Sequence, residues 1–163
     1  MSDSQRGNKG MDAKLVNPFI DALVAVMPQM GFDVPKRTKM GVKNQTCKSL
    51  GVSIIVGFTK GLRGNVVYNM SADAAKFVAS KMMMGMPVAE LDEMAQSALS
   101  EMSNMLTANA ATNLAAMGYT VDISTPSLTV GQDFQIKISS ENYLVVDMDL
   151  GGQTMELNIA VQA

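Results

Sequence analysis

The sequence predicts an α+β fold in which an antiparallel β-sheet packs with long helices, the whole arranged as two αβββ halves. Three patterns carry this expectation. Between Asp12 and Met30 the apolar residues Leu15, Val16, Phe19, Ile20, Leu23, Val24, Met27 and Met30 recur at helical spacing. Leu91 to Gly118 repeats that spacing over a longer run, with an apolar stripe of Val88, Leu91, Ala95, Leu99, Met102, Leu106, Ala110 and Met117. The C-terminal part alternates instead: Phe134, Ile136, Ile138; then Leu144, Val146, Met148, Leu150; then Met155, Leu157, Ile159, Val161. A period of two marks strands with one buried face.

Taken in order, Met1 to Gly10 is polar and aperiodic, and reads as a disordered tail or an expression remnant ahead of one domain over residues 11–163. The first helix starts in one of two ways. Either Asn17 caps it and Pro18 takes the first helical position, or Asp12 caps it and Pro18 lies in an early turn. Gly31 ends it in both cases. Strands follow over Val34 to Val42, Ser49 to Phe58 and Leu62 to Met70, the last two rich in β-branched residues and joined by Thr59-Lys60-Gly61. Gly57, Gly61 and Gly64 read as turn and bulge glycines, because they lack the GxxxxGK[ST] spacing of a phosphate loop. Ser71 caps a second helix that Gly85 and Pro87 close, and the long helix comes next. A short strand at Thr120 to Ser124 precedes the alternating segments, and Gly151-Gly152 reads as a tight hairpin turn.

Composition removes several chemistries. The 163 residues include no His, no Trp and a single Cys, Cys47, so neither a Ser-His-Asp nor a Cys-His site can be assembled, nor the usual Cys/His zinc site. Cys47 reads as a buried or semi-buried thiol. The absence of a long apolar run predicts a cytoplasmic protein without membrane attachment. Ten basic and four acidic residues lie up to Arg63, against three and eleven from Gly64 onward. Lys36, Arg37, Lys39, Lys43, Lys48, Lys60 and Arg63 supply most of that excess, which reads as solvated charge on hairpin edges and not as a nucleic-acid surface. Nine of the 16 methionines fall between Met70 and Met117. Most fit a core role, whereas Met94 and Met105 project beside the polar face of the long helix and would offer a deformable contact surface.

That polar face holds Ser97, Glu101, Asn104 and Ala108. Ser97, Glu101 and Asn104 are spaced i, i+4, i+7, which stacks a carboxylate and a carboxamide on successive turns of one rigid element. Such a triplet is common on solvated helices and identifies nothing alone. The run Ser97-x3-Glu101-x2-Asn104, the residues to Asn109-Ala110, the segment Pro126 to Gly131 and the opening Val16-Asn17-Pro18-Phe19-Ile20 resemble the CheC/CheX/FliY family of response-regulator phosphatases, nearest its CheX branch. Ser103 and Ala108 depart from the family pattern without removing the two key groups. The first helix has no Glu-x2-Asn pair, so the resemblance implies one site per chain and, as in the CheX branch, a homodimer.

The resemblance further implies a CheC-like fold and hydrolysis of the aspartyl-phosphate of a CheY-like receiver domain. The divalent metal (Mg) would be bound by the receiver, with no cofactor on this chain. Asn104 would orient the attacking water and Glu101 would pair with the receiver's active-site lysine. Ser97 would support them and Pro126 would shape the adjoining loop. Phosphoryl transfer gains mainly from positioning and charge placement, so a chain without a nucleophile can still catalyse it. The alternative keeps the fold and the helix face as a non-catalytic module that binds a receiver or another signalling protein.

Overall fold

The structure, a computed structural model, describes residues 13–163. The expected tail and the Asp12 cap therefore lie outside the described residues. In chain order the elements are a 3-10 turn (Ala13–Val16), α1 (Asn17–Val26), a second 3-10 turn (Met27–Met30), β1 (Lys36–Lys48), β2 (Gly51–Lys60), β3 (Arg63–Ser71), α2 (Ala72–Met82), α3 (Glu93–Ala116), β4 (Val121–Ile123), β5 (Ser127–Gly131), β6 (Gln135–Asp149) and β7 (Thr154–Gln162).

Two hairpins make the centre of the sheet. β2 and β3 pair antiparallel from Gly51↔Ser71 to Phe58↔Gly64, and β6 pairs β7 from Leu144↔Ile159 to Asp149↔Thr154. The turn of the second hairpin places Gly151 and Gly152 at φ 97° and 100°. Both values lie in the left-handed region that a type I′ turn demands. Leu150 N donates to Gln153 O at 2.7 Å across it, and the Asp149 carboxylate accepts from both glycine amides. β3 and β7 join the hairpins, β1 adds beyond β6, and β4 and β5 share the outer edge of β2, which gives seven antiparallel strands among the described residues. The first strand of each half thus crosses over to pair with the second strand of the other half. This exchange is the physical form of the two αβββ units.

The three helices cover one face. Leu144, Val146, Met148 and Leu150 face them together with Met155, Leu157, Ile159 and Val161, as the alternation predicts. Phe19 of α1 meets Phe58 of β2 edge-on, with centroids 5.6 Å apart. The expected Asn17 cap does not start α1: Asn17 is its first residue, Val16 takes the cap position without a side-chain bond, and the preceding 3-10 turn supplies the entry. Ser71 caps α2 by accepting from Ala74 N at 3.0 Å, as expected.

Two strand boundaries differ from expectation. β1 continues past Val42 to Lys48, and the two segments expected at Phe134–Ile138 and Leu144–Leu150 form the single strand β6. The polar run between them does not end the strand; it is an irregularity that β1 bridges, the register passing from Asn44↔Asn142 to Thr46↔Lys137. Gln45 takes φ 55° at that step. The irregularity also turns Ile138 to the opposite face of the sheet, where it packs with Cys47, Val67, Tyr143, Val145 and Ala160. The basic residues Lys36, Arg37, Lys39, Lys43 and Lys48 lie exposed along β1, which pairs on one side only. Charge on such an edge discourages further strand addition, in agreement with the sequence reading.

One polar tie fastens α3 to the sheet. Thr107 donates its hydroxyl proton to Ser103 O at 2.7 Å, so the fully buried Tyr68 of β3 donates to Thr107 Oγ1, also at 2.7 Å. Tyr68→Phe removes this bond without stranding Thr107 and is expected to cost about 1 kcal/mol. Thr107→Val leaves a buried phenol with no partner and is expected to cost more, up to about 3 kcal/mol. Thermal melts of the two variants check the order; a less stable Tyr68→Phe would mean that the bond is not the tie.

Candidate functional site

α3 is 24 residues long and is capped by Asp92, whose carboxylate accepts from Ala95 N at 2.9 Å. Ala95, Ala98, Leu99, Met102, Leu106, Ala110 and Leu114 are buried against the sheet and the other helices. The stripe was expected to end at Met117, which is 44% exposed. α3 stops at Ala116, so helical spacing no longer holds Met117, and Leu114 fills that place. Val88 and Leu91 pack against the core from the segment before the helix. Ser103 and Thr107, which the sequence did not mark as interior, are also fully buried. Each satisfies its hydroxyl on the preceding turn, Ser103 by donating to Ser100 O at 2.8 Å. The departure at Ser103 is thereby absorbed within the helix. At the far end Asn113 Nδ2 donates to Pro18 O at 3.0 Å and ties α3 to α1.

The opposite stripe is the one of chemical interest. Ser97, Glu101, Asn104 and Ala108 are all exposed, and Met94 and Met105 flank them with 63% and 37% exposure. Neither Glu101 nor Asn104 makes a side-chain hydrogen bond or ion pair among the described residues. A carboxylate and a carboxamide one turn apart, held by a packed helix and uncommitted to other groups, can bind and orient polar groups of an incoming molecule.

This ridge runs between two depressions. Glu93, Gln96, Ser97, Ser100 and Leu128 line the one on the β5 side. Gln29, Met30, Gly31, Lys81, Met82, Met84, Gly85, Glu101 and Met105 line the other, of about 680 Å³. Sequence periodicity did not join the Met27–Met30 turn or the end of α2 to the site, because those residues lie on separate elements. The Met82–Met84 run was the available signal. Pro126 is half-buried in the break between β4 and β5. Proline has no N–H for the ladder, and the nearby Ser124 bridges the gap, donating its backbone N–H to Gly57 O at 2.9 Å and accepting from Gly57 N on its hydroxyl at 2.8 Å. The break lets β5 resume along β2, with Leu128 on the floor of the Ser97 depression.

Cys47 lies on the other face of the sheet. It is 4% exposed, accepts from Asn69 Nδ2 at 3.2 Å and lies 3.8 Å from Glu156 Oε1. Burial, aided by the Glu156 carboxylate, pushes its thiol from 9.0 up to about 11. It is a neutral structural thiol, as the sequence reading expects. Among the described residues no group of three or more His, Cys, Asp or Glu is placed to hold a metal ion, and no helix is long and apolar enough to cross a membrane.

The family model described as chemotaxis phosphatase CheX matches residues 52–149. The CheY-P phosphatase CheX of Thermotoga maritima is 33% identical over 127 residues, which cover 78% of this chain and 82% of that protein. A CheX-CheY-BeF3-Mg complex from Borrelia burgdorferi contains a chain 30% identical with a TM-score of 0.73, covering 91% of this chain and 98% of that one. A CheC-like superfamily protein from Shewanella sp. PV-4 shares the fold, with a TM-score of 0.81 at 24% identity over 94% of this chain and 100% of that one. The α+β, CheC-like architecture follows from these matches.

The position of Cys47 sets an alkaline limit. Its folded value of about 11 lies above the ordinary 9.0, so the unfolded chain ionises first as pH rises. The stability it contributes is complete below about pH 9 and is lost as pH climbs toward about 11. The urea midpoint of the wild type is expected to fall more steeply than that of Cys47→Ala between about pH 8 and about pH 10.5. Parallel curves would show that the thiol does not titrate differently on folding.

Proposed function

The chain belongs to the CheX family of chemotaxis phosphatases, and on that premise we propose that it works through Glu101 and Asn104 on the exposed ridge of α3. It is a response-regulator phosphatase that hydrolyses the aspartyl-phosphate of a CheY-like receiver domain. The observation that carries the residue assignment is the uncommitted Glu101–Asn104 pair on a helix whose other half is packed. Both groups project from α3 itself, so the pair reaches a partner's cleft as a preformed unit.

The roles follow from the two functional groups. Asn104 offers an N–H donor and a carbonyl acceptor on one planar amide, which suits it to hold a water in line with the phosphorus. Glu101 presents a carboxylate one turn away, which pairs with the receiver's active-site lysine and fixes the approach of Asn104. The divalent metal (Mg) that neutralises the phosphoryl oxygens belongs to the receiver; this chain contributes position and charge. Ser97 and Met94 extend the contact along the ridge, Met105 adapts to the receiver's surface, and Pro126 sets the course of the loop beneath Ser97. We place the enzyme in the cytoplasm, within chemotaxis or related two-component signalling, as a homodimer that presents two such ridges.

Phosphate release from phosphorylated CheY-type receivers of the same organism tests the assignment. Asn104→Ala is expected to lower turnover on the order of 10²-fold, the loss that follows a misplaced reacting group. Glu101→Ala is expected to lower kcat/KM by roughly 10- to 10²-fold, with Glu101→Gln recovering only part, because charge and not shape is the missing element. Undiminished turnover in both alanine variants would overturn the assignment. Phosphorylation-sensitive binding that leaves the receiver's phosphate lifetime unchanged would instead favour a purely binding role. Light scattering tests the dimer, which a monomeric mass at micromolar concentration would rule out.

A further inference from the structure

The depression that contains Glu101 is bordered by the end of α2, where a Schellman stop places a methionine at the left-handed position that glycine usually takes. α2 unwinds through Met83, and Met84 then adopts φ 60°, with Gly85 following at φ 88°. Gly85 N closes the end by donating to Ser80 O at 2.7 Å. A left-handed backbone suits glycine at Gly85; at Met84 it carries a steric penalty that an asparagine or glycine would largely avoid. The Met84 side chain returns no packing for it, being 96% exposed. The helix stop accounts for the backbone but not for the residue: a fully solvated methionine at the lip of the groove that also holds Glu101 marks a surface shaped for contact.

The remaining lining gives that contact a chemistry. Met30, Met82 and Met105 supply further flexible apolar surface. Lys81 and Glu101 line the same groove but form no ion pair with each other, and Lys81 makes none with any other carboxylate among the described residues. Its ammonium lies 5.7 Å from the centre of the Phe77 ring, which steadies it near the lip. Two unpaired charges of opposite sign on one apolar groove fit an occupant with the reverse arrangement.

We propose that this groove is the docking subsite for the receiver domain. It takes an apolar side chain of the receiver's surface next to the phosphorylation site, with Met84 as its adjustable lip and Lys81 facing a receiver carboxylate. The proposal rests on the receiver reading above and is continuous with it through Glu101. Met84 and Lys81 act in binding and leave the hydrolytic step to Asn104.

Met84→Gly keeps the left-handed backbone, removes its strain and deletes the side chain, so the variant is expected to melt at or above the wild-type temperature. With the receiver that the wild type dephosphorylates fastest, phosphorylated by acetyl phosphate, Met84→Gly is expected to raise KM about 10-fold while phosphate release at saturating receiver stays near the wild-type rate. Lys81→Glu is expected to raise KM likewise, and Lys81→Arg to restore it. A KM within twofold of wild type for Met84→Gly would overturn the subsite while leaving the phosphatase reading intact. A change in oligomeric mass by light scattering would assign the groove to a second copy of this chain and overturn it too. Wild-type protein inactive on every receiver tested would remove the underlying reading itself.

Discussion

Everything at the candidate site depends on the burial of one half of α3. Leu99, Met102 and Leu106 are fully enclosed against the sheet and the other helices, and each contributes about 1.5–3 kcal/mol by leaving water. That seal, with the Tyr68–Thr107 and Asn113–Pro18 ties, fixes the rotation of the helix about its own axis. The angle at which Glu101 and Asn104 emerge is therefore a property of the core. A side chain on a mobile loop would lose this advantage, since reactions governed by positioning are sensitive to displacements of about 1 Å.

The proposed mechanism relies on the same constraint, since it asks for neither His nor a nucleophile from this chain. Its lone thiol is buried on the far face of the sheet and held neutral by that burial. What remains is a polar ridge between two depressions, one floored by Leu128 and one rimmed by methionines. In the proposed mechanism this ridge enters the receiver's cleft, where the reacting bond resides. That proposal divides the labour, with the chemistry on the receiver and the geometry on this chain.

The sheet shows which features are legible in a single sequence. Alternation located β7 and the second half of β6 on the helix-covered face, because each residue there meets the same environment at every second position. Ile138 is buried as the alternation expects, but on the opposite face, because the irregularity opposite Asn44–Thr46 turns the chain over. β1 carries almost no buried side chain besides Cys47, so no period marks its true length; its partner β6 sets it. The gap at Pro126 was legible as a loop-shaping proline, while the strand that resumes after it required β2 as a template.

By itself the sequence determined the fold class, the caps of α2 and the Gly151-Gly152 turn, and the stripe that holds Glu101 and Asn104. These features follow from local periodicity and from backbone preferences of single residues. The tertiary structure decided what long-range pairing controls: the exchange of β1 and β4/β5 between the two halves, the replacement of Met117 by Leu114 in the core, and the meeting of Met30, Lys81 and Met84 with Glu101. Residues on three separate elements share no period, so only the packing of α1, α2 and α3 on one sheet face could bring them into one groove.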